Sequence, residues 1–145
     1  MNLEKVLNER IADFALMYVK LHRFHWYVQG PHFTTFHAIY EGLYNDFSNY
    51  LDNYAERLLA IGGTPVATLK GFLALSALSE EGDEVTPHQI GQTLQNDLGH
   101  IVKKLKDGIA VSDATNDVAT SDLFTVTIAD LEKQLWFIKQ TLKQG

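Results

Sequence analysis

Three stretches of this chain repeat apolar residues at three- and four-residue spacing, and that period confines the fold to helices packed against one another. In the first stretch Leu7, Ile11, Phe14, Tyr18, Leu21 and Val28 form a stripe, so residues 3–29 read as one long helix, ended by Gly30-Pro31. A second stripe runs from Thr34 to Ile61 through Phe36, Ile39, Tyr40, Leu43, Phe47, Tyr50, Leu51, Tyr54, Leu58 and Ile61, and Gly62-Gly63-Thr64-Pro65 closes it. Thr86-Pro87-His88-Gln89 is a helix opening: a Thr cap, Pro at the first helical position, and Gln three residues past the cap. That predicts a third helix to about Val111. A polar break from Asp113 to Asp117 precedes a fourth, which carries Phe124, Ile128, Leu131, Leu135, Ile138 and Leu142.

Residues 66–85 form a connection too long for a hairpin between neighbouring helices. The connection holds the apolar piece Phe72-Leu73-Ala74-Leu75, read as a short helix, and the acidic run Glu80-Glu81-Gly82-Asp83-Glu84. Four long helices with one long crossover between the second and third describe an all-α, ferritin-like four-helix bundle. At 145 residues, with no repeat or low-complexity tract, residues 1–145 are expected to form a single domain.

Composition narrows the chemistry. With no Cys in the chain, disulfides, thiolate zinc sites, iron–sulfur clusters and cysteine nucleophiles are excluded, and any metal must sit on nitrogen and oxygen. No stretch approaches the roughly 18 apolar residues of a membrane span, and the start lacks a basic segment followed by an apolar one, so a cytoplasmic protein is expected. A net charge of −6 without a Lys/Arg cluster argues against an intrinsic nucleic-acid surface.

Residues suited to metal chemistry concentrate between positions 22 and 57. His25 falls inside the apolar stripe of the first helix, where its ring nitrogens need partners: a carbonyl, a water or a metal. On a wheel at about 100° per residue, His37, Glu41, Asp52 and Glu56 share one side of the second helix, turned away from its apolar face. Such a stripe is either a solvated helix face or a set of ligands, and imidazole with carboxylate suits iron, manganese or zinc. An inward di-iron site of the Glu-x-x-His type is absent, since no Glu has His three residues later.

Axial rise constrains the ligand reading. Along one straight helix His37 lies roughly 22 Å from Asp52, and Glu41 roughly 16 Å from it, so one ion cannot touch both ends. Yet His37 and Glu56 lie symmetrically about the point between Asp46 and Phe47, and so do Glu41 and Asp52. Two copies of this helix packed antiparallel about a two-fold axis there bring His37 opposite Glu56 and Glu41 opposite Asp52, making every pairing twice. Asn45 and Ser48, small and polar, face the axis.

These residues resemble the Dps family, the DNA-protection-during-starvation mini-ferritins. The resemblance lies in His25-Trp26 with Gly30, Phe33 and His37, an acidic residue at 41, then Asp52-x-x-Ala55-Glu56-Arg57 and Gly62-Gly63, and extends more weakly along all four helices. It implies a hollow shell of twelve subunits with ferroxidase centres at two-fold interfaces. His25, His37 and Glu41 would come from one subunit, and Asp52 and Glu56 from its partner. The implied reaction oxidises Fe(II) to Fe(III), preferentially with hydrogen peroxide, and deposits mineral in the cavity, with Trp26 beside the site to intercept stray oxidising equivalents. Iron entry would pass acidic pores near the start of the last helix, for which Asp113, Asp117 and Asp122 are the candidates. One departure is visible: the family usually has Asp where this chain has Glu41, which keeps the charge and adds a methylene.

Two other functions compete. A non-catalytic helical shell or interaction protein would retain the stripe as a relic. DNA compaction would need flexible basic tails, whereas the first helix is expected to begin almost at Met1 and the last to end almost at Gly145, with Lys139 and Lys143 near that end. Direct DNA binding at physiological salt is therefore not expected.

Overall fold

The computed structural model describes residues 2–143. Met1, Gln144 and Gly145, the ends of the expected single domain, lie outside the described residues. Five helices follow in order: α1 (Leu3–Tyr27), α2 (Phe33–Ala60), α3 (Leu69–Leu75), α4 (Pro87–Ala114) and α5 (Val118–Leu142). The four long ones form the bundle, and α3 is the short helix of the crossover. Packing pairs α1 with α2 and α4 with α5, while α1 also touches α3 and α4. Among the described residues no strand occurs, and no helix is long and apolar enough to cross a membrane.

Local signals set the helix ends. The Asn2 side chain accepts from the Lys5 amide at 2.7 Å and starts α1. Thr86 and Gln89 form a reciprocal capping box at α4, satisfying two amide groups that the first turn leaves over. Asp117 caps α5. The predicted third helix runs three residues past Val111, to Ala114, because the turn closes only where Asn116 takes a left-handed conformation. The first helix stops at Tyr27, short of the expected 29, since the Gln29 amide turns to the Val85 carbonyl instead of continuing the helix.

The core takes Leu7, Ile11, Phe14 and Leu21 of the predicted first stripe with Met17 and Phe24 beside them, Leu43, Phe47, Tyr54 and Leu58 of the second, and Leu94, Leu98 and Ile101 from α4. Two stripe members depart from this. Ile39 is exposed because it lines a groove between α2, α4 and α5, and Ile61 because it is the C-cap of α2, at the end of the helix. Within the bundle also lie buried charges, Arg10 with Asp13 and Lys20 with Asp97.

Candidate metal centre

The site begins at the turn between α1 and α2. Gly30 takes a φ of 111°, a left-handed conformation that glycine adopts without a Cβ clash, and His32 follows at 66°. This reversal lays the end of α1 against the start of α2, so that His25 and His37, twelve residues apart in sequence, stack with ring centroids 3.6 Å apart and planes inclined by 14°. His25 is buried at 7% exposure, and His37 is half-buried.

Each ring is fixed by the other residue's backbone. His25 Nδ1 donates to the His37 carbonyl at 2.6 Å, and His37 Nδ1 donates to the His25 carbonyl at 2.7 Å. The His25 carbonyl is available because it belongs to the last turn of α1, whose carbonyls lack helical partners, and the Gln29 amide that could have reached it is bonded to Val85. A carbonyl only accepts, so both Nδ1 atoms carry hydrogen and both neutral rings present a bare Nε2 lone pair. That tautomer, with the far nitrogen donating to a carbonyl, is the usual arrangement of a metal-ligating histidine.

Glu41, one turn beyond His37, brings a carboxylate oxygen to 3.8 Å from His25 Nε2. This spacing is too long for a hydrogen bond, and one first-row ion with bonds of about 2.1 Å spans it. Tyr44 and His22 back the group: their rings stack at 3.8 Å, His22 Nδ1 donates to the Tyr18 carbonyl at 2.7 Å, and Tyr44 meets His25 edge-on. Sequence reasoning left His22 without a task and passed over Tyr44. The available signal was spacing, since His22 precedes His25 by three residues and Tyr44 follows Glu41 by three, placing each on the same helix face as its neighbour. Trp26 is 66% exposed and tilts toward His22.

Asp52 and Glu56 lie farther along the exposed face of α2. Their carboxyls sit together: a hydrogen bond to Asp52, and then its negative charge, push the Glu56 pKa above the ordinary glutamate value. Glu56 therefore takes up a proton at a higher pH than an isolated glutamate. Cation loading at this half-site is expected to decline on acidification sooner than at a single exposed carboxylate, measurable by titrating Co(II) binding between pH 7 and pH 4. Loading that held down to the pH at which an isolated glutamate protonates would contradict the pairing.

Within one chain the structure stacks His25 on His37 and sets Glu41 beside His25, while Asp52 and Glu56 lie farther along α2. Among the described residues no three His, Asp or Glu side chains converge closely enough to hold an ion.

The acids near the start of α5 differ from one another. Asp117 caps the helix, accepting from the Thr120 amide at 3.0 Å and from Arg57 at 2.9 Å. Burial raises its pKa, but Thr120 and the Arg57 guanidinium outweigh that and hold it below the usual aspartate value. Its position thus has a local cause. Asp113 accepts from the Ser121 hydroxyl at 2.6 Å. Asp122 is exposed, in a shallow groove with Glu56 and Arg57.

A four-helix bundle with a helical crossover and a histidine–carboxylate stripe outside its core belongs to the ferritin-like class. A family model described as Ferritin-like domain matches residues 4–145. The chain is 39% identical over 140 residues to DNA protection during starvation protein 2 of Bacillus anthracis, covering 97% of this chain and 96% of that one. Dps from Staphylococcus aureus matches with a TM-score of 0.95 at 36% identity, over 99% of this chain and 96% of that one. Dps from Vibrio cholerae O1, described as a member of a broad superfamily of ferritin-like diiron-carboxylate proteins, matches with a TM-score of 0.94 at 28% identity, over 97% and 89%. The chain belongs to the Dps family of ferritin-like proteins.

Proposed function

We propose that this protein oxidises Fe(II) with hydrogen peroxide at centres shared between two subunits and stores the ferric product inside a twelve-subunit shell. The observation that carries this reading is the reciprocal pinning of His25 and His37, which leaves two neutral nitrogen donors beside Glu41 on an outer helix face. Asp52 and Glu56 complete the donor set when a second copy packs antiparallel on α2. The nitrogen and oxygen donors suit iron, and membership of the Dps family supports the assignment. Iron is the substrate here. Each of two Fe(II) ions gives one electron to a single peroxide, whose O–O bond breaks; with two protons the products are two waters and two Fe(III). Taking both electrons together avoids the hydroxyl radical that a one-electron step releases.

The chain's own part is placement and charge. Bound through Nε2, the neutral rings of His25 and His37 keep their Nδ1 protons, each bonded to a carbonyl. Glu41, Asp52 and Glu56 offset the charge that rises as iron is oxidised. Trp26, exposed in the single chain and tilted toward His22, is the indole assigned to intercept escaping oxidant. Asp122 is the acid best placed to line an entry pore, because Asp117 is bound to Arg57 and Thr120. Direct DNA binding has no part in this reading, in keeping with the net charge of −6.

Anaerobic Fe(II) titrated with peroxide tests the proposal. Two irons are expected to be consumed per peroxide, and the rate is expected to fall at least about tenfold to a hundredfold in the variant His25→Ala with His37→Ala. Equal rates for wild type and variant would favour a non-catalytic shell.

A further inference from the structure

One backbone amide links the metal centre to the crossover between α3 and α4. Gln29 is the residue whose N–H would continue α1 onto the His25 carbonyl, four positions back. Instead that amide donates to the Val85 carbonyl at 2.7 Å, and the His25 carbonyl accepts from His37 Nδ1 at 2.7 Å. Two donors are thus within reach of one carbonyl, and Val85 settles the competition by holding the first of them.

Val85 is itself held from two sides. Its amide donates to the Gln89 side-chain oxygen at 3.0 Å, the same oxygen that receives the Thr86 amide at 3.2 Å in the capping box of α4. One residue earlier, Glu84 accepts from the Thr93 hydroxyl of α4 at 2.6 Å and from the Arg23 guanidinium of α1 at 3.2 Å. Arg23 also donates to the Glu80 carbonyl, so one side chain of α1 holds the acidic run at both ends. At Gly82 an added Cβ would collide with the Glu84 carboxylate and with Arg23 Nη2, so glycine is what lets the run close on the guanidinium. The arrangement is costly, since Arg23 Nε is buried without a hydrogen-bond partner.

We propose that Arg23 is a positioning residue for the metal centre. By seating residues 80–85 against α1, it keeps the Gln29 amide on Val85 and so reserves the His25 carbonyl for His37. Released from Val85, the Gln29 amide adds one more helical bond to the end of α1 and displaces His37 Nδ1. His37 then loses the acceptor that fixes its proton, and its ring exchanges between two tautomers, only one of which presents a bare Nε2 to an ion. His25 keeps its own tautomer, because its Nδ1 donates to the His37 carbonyl, which belongs to α2. The consequence for iron rests on the proposed function, whereas the tautomer does not.

Solid-state nitrogen NMR of the assembled, metal-free, histidine-labelled protein reads the tautomers at about pH 8, above the ordinary histidine pKa. Wild type is expected to carry the His37 proton on Nδ1 alone. Arg23→Met should give His37 a mixture of tautomers, leave His25 unchanged and weaken Co(II) binding about tenfold. Adding Gln29→Pro should return His37 to the wild-type tautomer and restore most of the affinity, since proline has no amide to compete. Val28, with a ψ of 137°, already has the extended geometry that a following proline requires. If Arg23 only fastened the crossover, no such rescue would occur. An unchanged His37 signal in Arg23→Met, equal changes at both histidines, or no recovery on adding Gln29→Pro would overturn the proposal. Should Arg23→Met not fold, Gln89→Ala loosens Val85 from its other side, and the same two histidine signals decide. None of these readouts uses peroxide, so a negative result leaves the ferroxidase reading standing.

Discussion

Chains carrying His25→Ala with His37→Ala, and chains carrying Asp52→Ala with Glu56→Ala, should each lose peroxide-driven Fe(II) oxidation alone and regain about a quarter of the wild-type rate when dissociated, mixed equally and reassembled. The fraction follows from symmetry. Each two-fold pair makes two centres, each built from one subunit's histidines and the other's carboxylates. In a mixed pair one centre is intact and the other doubly damaged. Random mixing makes half of all pairs mixed, so about one centre in four is whole. Centres built within one chain would give no recovery at all, because every chain in the mixture lacks half of its ligands. Stopped-flow oxidation after reassembly separates the two outcomes, and the wild type taken through the same cycle provides the reference.

Phe14→Ala should cost about 3–5 kcal/mol, the largest single-residue loss expected in the core. The ring is fully buried and meets Tyr54 at 4.7 Å, Tyr50 at 5.5 Å and Phe47 at 5.8 Å between centroids, the first and last edge-on. Truncation removes those contacts and opens a cavity between α1 and α2, which the neighbouring rings, Tyr50 and Tyr54 among them held by α5, fill only in part. Tyr54 is tied to Thr127 by a hydrogen bond at 2.8 Å, which limits its movement toward the gap. The measurement is the shift of the urea midpoint at fixed protein concentration, since assembly adds its own concentration-dependent stability. A loss below about 1 kcal/mol would show that the core collapses around the gap.

The outer stripe was legible because helical geometry is periodic. Once α2 is known to be helical, the placing of His37, Glu41, Asp52 and Glu56 on one side, and their separation along the axis, follow from residue numbers alone. The same periodicity marked His25 as out of place among apolar neighbours. Periodicity failed where a residue's surroundings depend on other elements. Ile39 and Ile61 repeat with the core, yet one faces a groove and the other ends its helix. Tyr44 shares a helix face with Glu41 by spacing, but its place at the site becomes visible only when His22, from another helix, stacks on it. Asp117 is a pore candidate by resemblance alone, and its bond to Arg57, sixty residues away, is visible only in the fold.

The order of residues alone determined the number of helices, their caps, the long crossover and the stripe of donors, since each depends on local spacing and on hydrogen bonds within a few residues. Tertiary structure alone decided the tautomers of His25 and His37, which depend on a turn that carries two helix ends past each other and on a carbonyl left unpaired at one of them. Tertiary structure also decided that Lys20 meets Asp97 across seventy-seven positions. A charge pair buried between two helices leaves no periodic trace, because its energy depends on the exclusion of water, and that exists only after the chain has closed.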